Sequence, residues 1–177
     1  MVQYSARIES YIQAMTSVQK LEELAFTPKE FNWLSLAKEL KNSLAIISAN
    51  TGKKVEFSSS GENRQINVDS YMIYNVAENL VSNALRHSEN SITVDMLCAD
   101  NKVIISVSDD GPGFSPTILK KGAAPFLRDN NSEQVQNFGM GLYICHLLCE
   151  KHGGSLTLEN HSNGAKVTAK FYLERRG

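Results

Sequence analysis

The residue types best suited to chemistry begin with asparagines that recur through residues 70–87. At about 100° per residue in a helix, Asn75, Asn79, Asn83 and Arg86 fall within about 80° of one another. Such a stripe is most often a solvated face, but solvated faces normally use Glu, Lys and Gln, and Asn is a mediocre helix former. Amide oxygens suit Mg²⁺ when phosphates and waters complete its octahedron, so the stripe also fits a magnesium–phosphate site.

A second candidate follows a strand. The apolar alternation of residues 103–107 runs into Asp109 and then into Gly111-Pro112-Gly113. A carboxylate at a strand end can accept a hydrogen bond from an amine, and glycines allow the backbone to approach a ligand closely. An ordinary Asp-Gly turn explains the same residues, so this motif alone leaves both interpretations open.

A third candidate is the glycine-rich turn Gly139-Met140-Gly141, which opens a helix. Free N–H groups at a helix start bind phosphate without a basic side chain. The chain contains no GxxxxGK, which excludes a P-loop nucleotide site, and no GxGxxG after a strand, which argues against a Rossmann site.

The elements that must position these residues alternate along the chain. Before the asparagine-rich helix we expect a strand around Phe31 and Trp33, a helix over 35–49 that Gly52 ends, and strands at 55–57 and 66–68 flanking a turn at 58–63. We expect that helix to begin at a cap, Asp69 or Ser70, and to reach His87. Two strands should follow over 92–98 and 103–107, joined by a turn at 99–102, and then an irregular loop over 109–137. The chain should end with a helix over 139–151 and two strands over 156–158 and 167–173, joined by a turn at Asn163-Gly164. The pattern predicts a two-layer α/β sandwich, with a mixed, mostly antiparallel sheet and helices on one face.

The N-terminal residues 5–24 predict one amphipathic helix, which must pack against something, including a copy of itself. Pro28 breaks the pattern, so we expect an appendage over residues 1–25 and one domain over 26–177. Lys and Arg total 18 against 19 Asp and Glu, which argues against a nucleic-acid binder. The chain shows no signal peptide or membrane span, and its three cysteines suit reduced, buried thiols in a cytosolic protein.

Taken in order, these motifs resemble the catalytic, ATP-binding domain of two-component sensor histidine kinases, within the GHKL superfamily. Residues 78–88 (ENLVSNALRHS) resemble its N box, and residues 109–114 (DDGPGF) resemble its G1 box. Residues 124–126 (APF) are similar to the F box, and residues 139–142 (GMGL) match the G2 box. The resemblance covers about residues 26–174, while residues 5–24 resemble the end of the second helix of the kinase dimerisation domain.

The resemblance implies ATP and Mg²⁺ as ligands and a role for each matching residue. Asn83 would coordinate Mg²⁺ and Asn79 would line the phosphate side, with Arg86 and His87 contacting phosphates. Asp109 would accept a hydrogen bond from the adenine amine, and Gly111 and Gly113 would let the chain pass over the base. In the G2 box, Gly139, Gly141 and Leu142 would border the phosphates, and Phe126 would pack under a lid over residues 114–138.

One position separates branches of the superfamily. Branches that hydrolyse ATP carry a Glu four residues before the metal-binding Asn, where it activates water as a general base. That position is Asn79 here, and Glu78 is one residue away and rotated by about 100°. The resemblance therefore implies slow hydrolysis and transfer of the γ-phosphoryl to a protein group.

Two departures from the family pattern concern the base pocket. Lys166 stands where the family usually has a hydroxyl residue that helps to hold adenine, and Asp110 stands where Asn is common. A third departure is that none of the four histidines is followed by an acidic residue, as the phospho-accepting histidine of the family is. We therefore expect a kinase fragment, or a protein that phosphorylates another chain.

The expected partners are the dimerisation domain of the same kinase and the receiver domain of a response regulator. The chain itself should form weak dimers through residues 5–24, or monomers, without membrane contact. Two alternatives remain open at this point: a free-standing serine kinase of the anti-sigma type, and a nucleotide-binding module without kinase activity. The helix over residues 5–24 argues against the serine kinase, and Lys166 keeps the binding module open.

Overall fold

The computed structural model describes residues 12, 15–125, 140–162 and 164–173. Its helices are α1 over residues 15–23, α2 (Trp33–Ser48), α3 (Ser70–His87), α4 (Pro116–Lys121) and α5 (Gly141–Lys151). Its strands are β1 (Lys29–Asn32), β2 (Lys54–Gly61), β3 (Gln65–Val68), β4 (Ser91–Ala99), β5 (Lys102–Asp109), β6 (Ser155–His161) and β7 (Gly164–Tyr172).

The main sheet has five strands in the order β2-β4-β5-β7-β6, and β1 and β3 form a separate antiparallel pair. Within the main sheet β2 and β4 are parallel, and every other pair is antiparallel. Helices α2, α3 and α5 pack on one face of this sheet. The structure thus confirms the two-layer sandwich with a mixed, mostly antiparallel sheet.

The core between the layers follows from the apolar period of the helices and from the two-residue alternation of the strands. Helix α3 begins at the cap Asp69, whose Oδ1 accepts a hydrogen bond from Met72 N (3.2 Å), and its apolar face is fully buried. Alternate residues of β4, β5 and β7 point at that face, while the residues between them lie on the other side of the sheet. Trp33 belongs to this core, and its Nε1 donates to Ser60 O (3.0 Å).

Several element boundaries differ from the sequence predictions. Trp33 is the first residue of α2 and does not belong to the strand before it, and α2 ends at Ser48, just before Asn50 with its positive φ of 63°. The serines predicted to form a turn continue β2 as far as Gly61, because they pair with β4 up to Cys98. The loop after Asp109 contains α4, which Ser115 caps.

The C-terminal end of α1 is attached to the C-terminal end of α5. Lys151, the last residue of α5, donates from Nζ to Leu21 O (2.8 Å) and Glu22 O (2.5 Å). The ring of Phe26 meets the ring of His152 edge-on, with centroids 5.0 Å apart. Most of the predicted helix before residue 15 lies outside the described residues, and no helix of the described part is long and apolar enough to cross a membrane.

Candidate functional site

The asparagines of α3 use their amide nitrogens within the helix. Asn75 Nδ2 donates to Tyr71 O (2.8 Å), and Asn79 Nδ2 donates to Asn75 O (2.8 Å). Because each nitrogen is bound to the backbone one turn earlier, the side-chain oxygen is the atom left to accept a hydrogen bond or bind a cation. The stripe predicted from the spacing therefore presents acceptors.

Asn83 lies one turn further along α3 and is half-buried. Its amide forms no hydrogen bond with any described residue, so its oxygen is open to a ligand. The described residues contain no cluster of three or more His, Cys, Asp or Glu side chains able to hold a metal ion. A single amide oxygen suits Mg²⁺ only when phosphate oxygens and waters supply the remaining ligands.

The start of α5 lies beside the first half of this stripe. A Cβ on Gly141 would lie 3.6 Å from Asn79 Oδ1, and no side chain of the described residues caps the first turn of α5 at Met140. The backbone N–H groups of that turn are thus available to an anion. Leu142 is half-buried and packs against the core, which anchors the turn.

The carboxylate of Asp109 ends β5 at the other end of the stripe. The residue is only 9% exposed, and its Oδ1 accepts a hydrogen bond from Gly111 N (2.9 Å). Its Oδ2 has no partner among the described residues. A buried carboxylate with one oxygen already oriented can accept a hydrogen bond from the amine of a ligand.

Gly111 brings this loop against α3. A Cβ on Gly111 would collide with His87 O and would lie 2.9 Å from Asp109 Oδ1. Gly141 adjoins Asn79 and Gly111 adjoins His87, eight residues later on α3, which corresponds to about 12 Å along the helix. Asn83 lies between the two, so the structure arranges the three sequence motifs along one edge of α3.

Asp110 has a structural role that the sequence did not reveal. Its carboxylate accepts hydrogen bonds from the backbone N–H groups of Glu89 (2.9 Å), Asn90 (3.0 Å) and Ser91 (3.0 Å), and from Ser91 Oγ (3.0 Å). Led by the bonds from the Ser91 and Asn90 backbone, these donors lower the pKa of Asp110 to about 2. An ionised Asp110 therefore ties the loop after β5 to the turn between α3 and β4.

Lys166 does not take the place of an adenine-binding hydroxyl. It pairs with Ser108 on β5, so its side chain lies on the sheet face opposite to that of Asp109. Its Nζ lies 3.6 Å from Glu159 Oε1 at the surface. Ala165, one residue earlier, is buried on the Asp109 side, so the β7 residue on that side offers a methyl group and no hydroxyl.

Asn160 is a further residue that the sequence analysis missed. This β6 side chain accepts a hydrogen bond from Phe114 N (2.7 Å) and donates to Phe114 O (2.9 Å). A lone Asn near a hairpin carries no signal of such a long-range contact. It holds the chain at the end of the G1-like segment.

Glu78 is directed away from the stripe. Its Oε1 accepts a hydrogen bond from Ser43 Oγ on α2 (3.1 Å). This contact confirms that Glu78 points in a different direction from Asn79, as inferred from the helical period. Asn79 is therefore the residue beside Gly141.

Of the remaining predicted site residues, two are exposed on α3 and two lie outside the described part of the chain. Arg86 and His87 are exposed in the last turn of α3, and partial burial lowers the pKa of the Arg86 guanidinium, which nevertheless stays charged at neutral pH. Phe126 and Gly139 lie outside the described residues, as does the predicted lid beyond residue 125.

The cysteines have no place in this site. All three are free and buried, and burial raises the pKa of Cys149 to about 12 and that of Cys145 well above its ordinary value. Thiols with raised pKa values are poor nucleophiles and poor metal ligands at neutral pH.

Comparisons with known proteins identify relatives of this chain. A family model described as "Histidine kinase-, DNA gyrase B-, and HSP90-like ATPase" matches residues 68–175. The sensor histidine kinase RegB of Cereibacter sphaeroides is 29% identical over 121 residues, which are 62% of this chain and 26% of RegB. The sensor histidine kinase SpaK of Bacillus subtilis is 26% identical over 94% of this chain and 38% of its own length.

Among solved structures, the histidine kinase ThkA in complex with the response regulator protein TrrA matches with a TM-score of 0.74. The alignment covers 95% of this chain and 48% of ThkA at 22% identity, so it bears on the fold. This chain spans well under half the length of curated relatives such as RegB and SpaK.

Proposed function

The chain belongs to the family of histidine kinase-, DNA gyrase B- and HSP90-like ATPases, and from this premise we propose that it is the catalytic part of a sensor histidine kinase. It binds Mg-ATP along α3 and transfers the γ-phosphoryl group to a histidine on a dimerisation domain. From that histidine the phosphoryl passes to an aspartate of a response regulator.

The base end of the pocket is the Asp109 loop. Asp109 Oδ1 is held by Gly111 N, which leaves Oδ2 to accept a hydrogen bond from the exocyclic amine of adenine. Guanine presents a carbonyl at the same position, and two acceptors facing each other repel. The carboxylate thereby selects adenine over bases that lack the amine.

The phosphate end is formed by α3 and the start of α5. The Asn79 oxygen and the first N–H groups of α5 lie together at this end. The side chains of Arg86 and His87, about two turns further along α3 towards the Asp109 loop, would contact the polyphosphate from that side, as the family resemblance implies. Asn83 would hold Mg²⁺, which neutralises charge on the transferring phosphoryl group when bound. These residues act by positioning the nucleotide and stabilising its charge.

The observation that carries the kinase assignment is that an amide, Asn79, stands at this end in the position where hydrolysing members of the superfamily carry a general base. Asn79 occupies the position beside Gly141, and an amide cannot accept a proton at neutral pH. The neighbouring carboxylate of Glu78 points towards α2, where it accepts a hydrogen bond from Ser43 Oγ. Neither of these two described residues would activate water at this end, which fits transfer of the phosphoryl group to a nucleophile of another domain.

Residues 1–25 are then the end of a dimerisation-domain helix and its linker, and residues 26–177 are the ATP-binding domain. The irregular residues 24–28 between α1 and β1 support this division, and Lys151 holds the end of α1 against the ATP-binding domain. We place the domain in the cytoplasm, where ATP and a response regulator are present.

The test mixes this chain with a separately purified dimerisation domain that carries its phospho-accepting histidine, with Mg²⁺ and γ-labelled ATP. We expect acid-labile label on the dimerisation domain, and none when Asn83→Ala replaces the wild-type chain. Acid-stable label on serine would instead indicate an anti-sigma-type kinase. Bound ATP with no label on any residue would leave a nucleotide-binding module and contradict the kinase assignment.

A further inference from the structure

The segment that carries Asp109 is held at three points by other parts of the chain. At its start, a Cβ on Gly164 would collide with Asp109 O and lie 3.0 Å from Gly111 N, so β7 begins in close contact with this segment. In its middle, Asp110 binds the turn between α3 and β4. At its end, Asn160 binds both backbone polar groups of Phe114.

The third attachment depends on the chemistry of one side chain. A side-chain amide holds an NH₂ donor group and a carbonyl acceptor side by side in one plane, and so it pairs with the C=O and the N–H of a single residue as a neighbouring strand would. Aspartate keeps the acceptor but has no donor, and serine is too short to reach both groups. Asn160 therefore fixes the position and the direction of the chain at Phe114.

Gly113 supports the same contact. It has a φ of +78°, and a Cβ at this position would lie 2.9–3.1 Å from the amide atoms of Asn160. The conformation and the lack of a side chain together let the loop pass directly beside that amide. The second glycine of the Gly-Pro-Gly turn thus serves a contact within the protein.

We propose that Asn160 is a positioning residue for the base-reading carboxylate: by fixing Phe114 it orients the loop from Asp109 and so sets the selectivity for adenine. This inference rests on the proposed function, because it requires that Asp109 reads the base. Asn160 touches neither the phosphates nor the metal in this arrangement, so its effect should be confined to recognition of the base.

The test compares binding of Mg-ATP and Mg-ITP by calorimetry, using the full 177-residue chain. ITP carries a carbonyl in place of the adenine amine, so the wild-type chain should bind it at least about tenfold more weakly. The nearly isosteric variant Asn160→Asp faces Phe114 O with a carboxylate oxygen. It should bind ATP about tenfold more weakly, with the ATP/ITP ratio reduced towards one.

The matched control is Glu159→Gln, the preceding residue on β6, whose side chain lies on the other face of the sheet beside Lys166. It should preserve both affinities. If Asn160→Asp fails to fold, the ratio of ATP to ITP affinity is measured in a second variant, Asn160→Ser. The ratio is informative because partial unfolding lowers both apparent affinities by the same factor.

The possible outcomes distinguish a failure of this inference from a failure of the proposed function. A wild-type chain that binds neither nucleotide contradicts the proposed function. A selective wild-type chain whose Asn160 variants keep the ATP/ITP ratio contradicts the positioning role alone, and so does an equal loss of both affinities. A collapsed ratio in the variants supports the inference.

Discussion

The buried carboxylate of Asp69 accepts hydrogen bonds from Thr27, 42 residues earlier in the chain, while it caps α3. Its Oδ2 accepts from Thr27 N (2.8 Å) and Thr27 Oγ1 (3.2 Å), and its Oδ1 accepts from Met72 N. The helix that carries Asn79 and Asn83 therefore begins at the residue that holds the linker after α1. The end of α1 and the nucleotide site share one structural unit.

The first prediction concerns the stability of this unit. Asp69→Ala removes a helix cap, worth about 1 kcal/mol, and a charged acceptor of a backbone hydrogen bond, worth about 1.5–3 kcal/mol. We expect the free energy of unfolding in urea to fall by about 3 kcal/mol. Thr27→Val removes only the hydroxyl donor and should cost about 1 kcal/mol or less. Equal effects of the two variants would contradict this account of Asp69.

The second prediction concerns pH. His152 is 1% exposed, its Nε2 accepts a hydrogen bond from Asp69 N (3.1 Å), and burial lowers its pKa below the ordinary 6.5. Because the unfolded chain binds the proton more readily, stability is complete above pH 6.5 and falls as the pH drops below that value towards the folded-state pKa.

Urea unfolding between pH 5 and pH 7.5 measures this slope. Wild type should lose stability towards pH 5, and His152→Gln, which keeps an acceptor but does not titrate there, should show a flatter profile. A wild-type slope that survives unchanged in His152→Gln would assign the pH dependence to other groups.

The third prediction tests the missing general base. Asn79→Glu places a carboxylate beside Gly141, where hydrolysing members of the superfamily are expected to carry one. We expect ATP hydrolysis without an acceptor domain to rise by about tenfold or more, since general-base catalysis contributes about 10²–10⁴-fold when the geometry is ideal. Release of inorganic phosphate measures the rate.

The control for that variant is Glu78→Gln, which removes the neighbouring carboxylate that binds Ser43. It should leave the hydrolysis rate unchanged. A large loss of hydrolysis in Glu78→Gln would mean that Glu78 reaches the nucleotide despite its contact with α2.

The sequence predicted the parts of this molecule that local rules determine. The apolar period and the Asp69 cap gave α3 from Ser70 to His87, and the turn between β4 and β5 forms at Asp100 and Asn101, both with positive φ. The direction of Glu78, away from the stripe, was also predictable because it depends only on the helical period.

The errors arose where distant contacts decide the outcome. Ser58 to Gly61 have the composition of a turn, yet they extend β2 because β4 offers parallel partners up to Cys98. Lys166 was assigned to the base pocket by its place in a motif, whereas the register with Ser108 directs it to the other face. Asn160 reaches a residue 46 positions away, and no local pattern encodes such a contact.

The measurement that tests the central claim most directly is calorimetric titration of the chain with ATP, with and without Mg²⁺, in wild type and Asp109→Asn. We predict one ATP per chain, tighter binding with Mg²⁺, and affinity lowered by about 10–100-fold in the folded variant, where an amide faces the adenine amine. Equal affinities for ATP in the two proteins, or no binding of any adenosine nucleotide to wild type, would contradict the account.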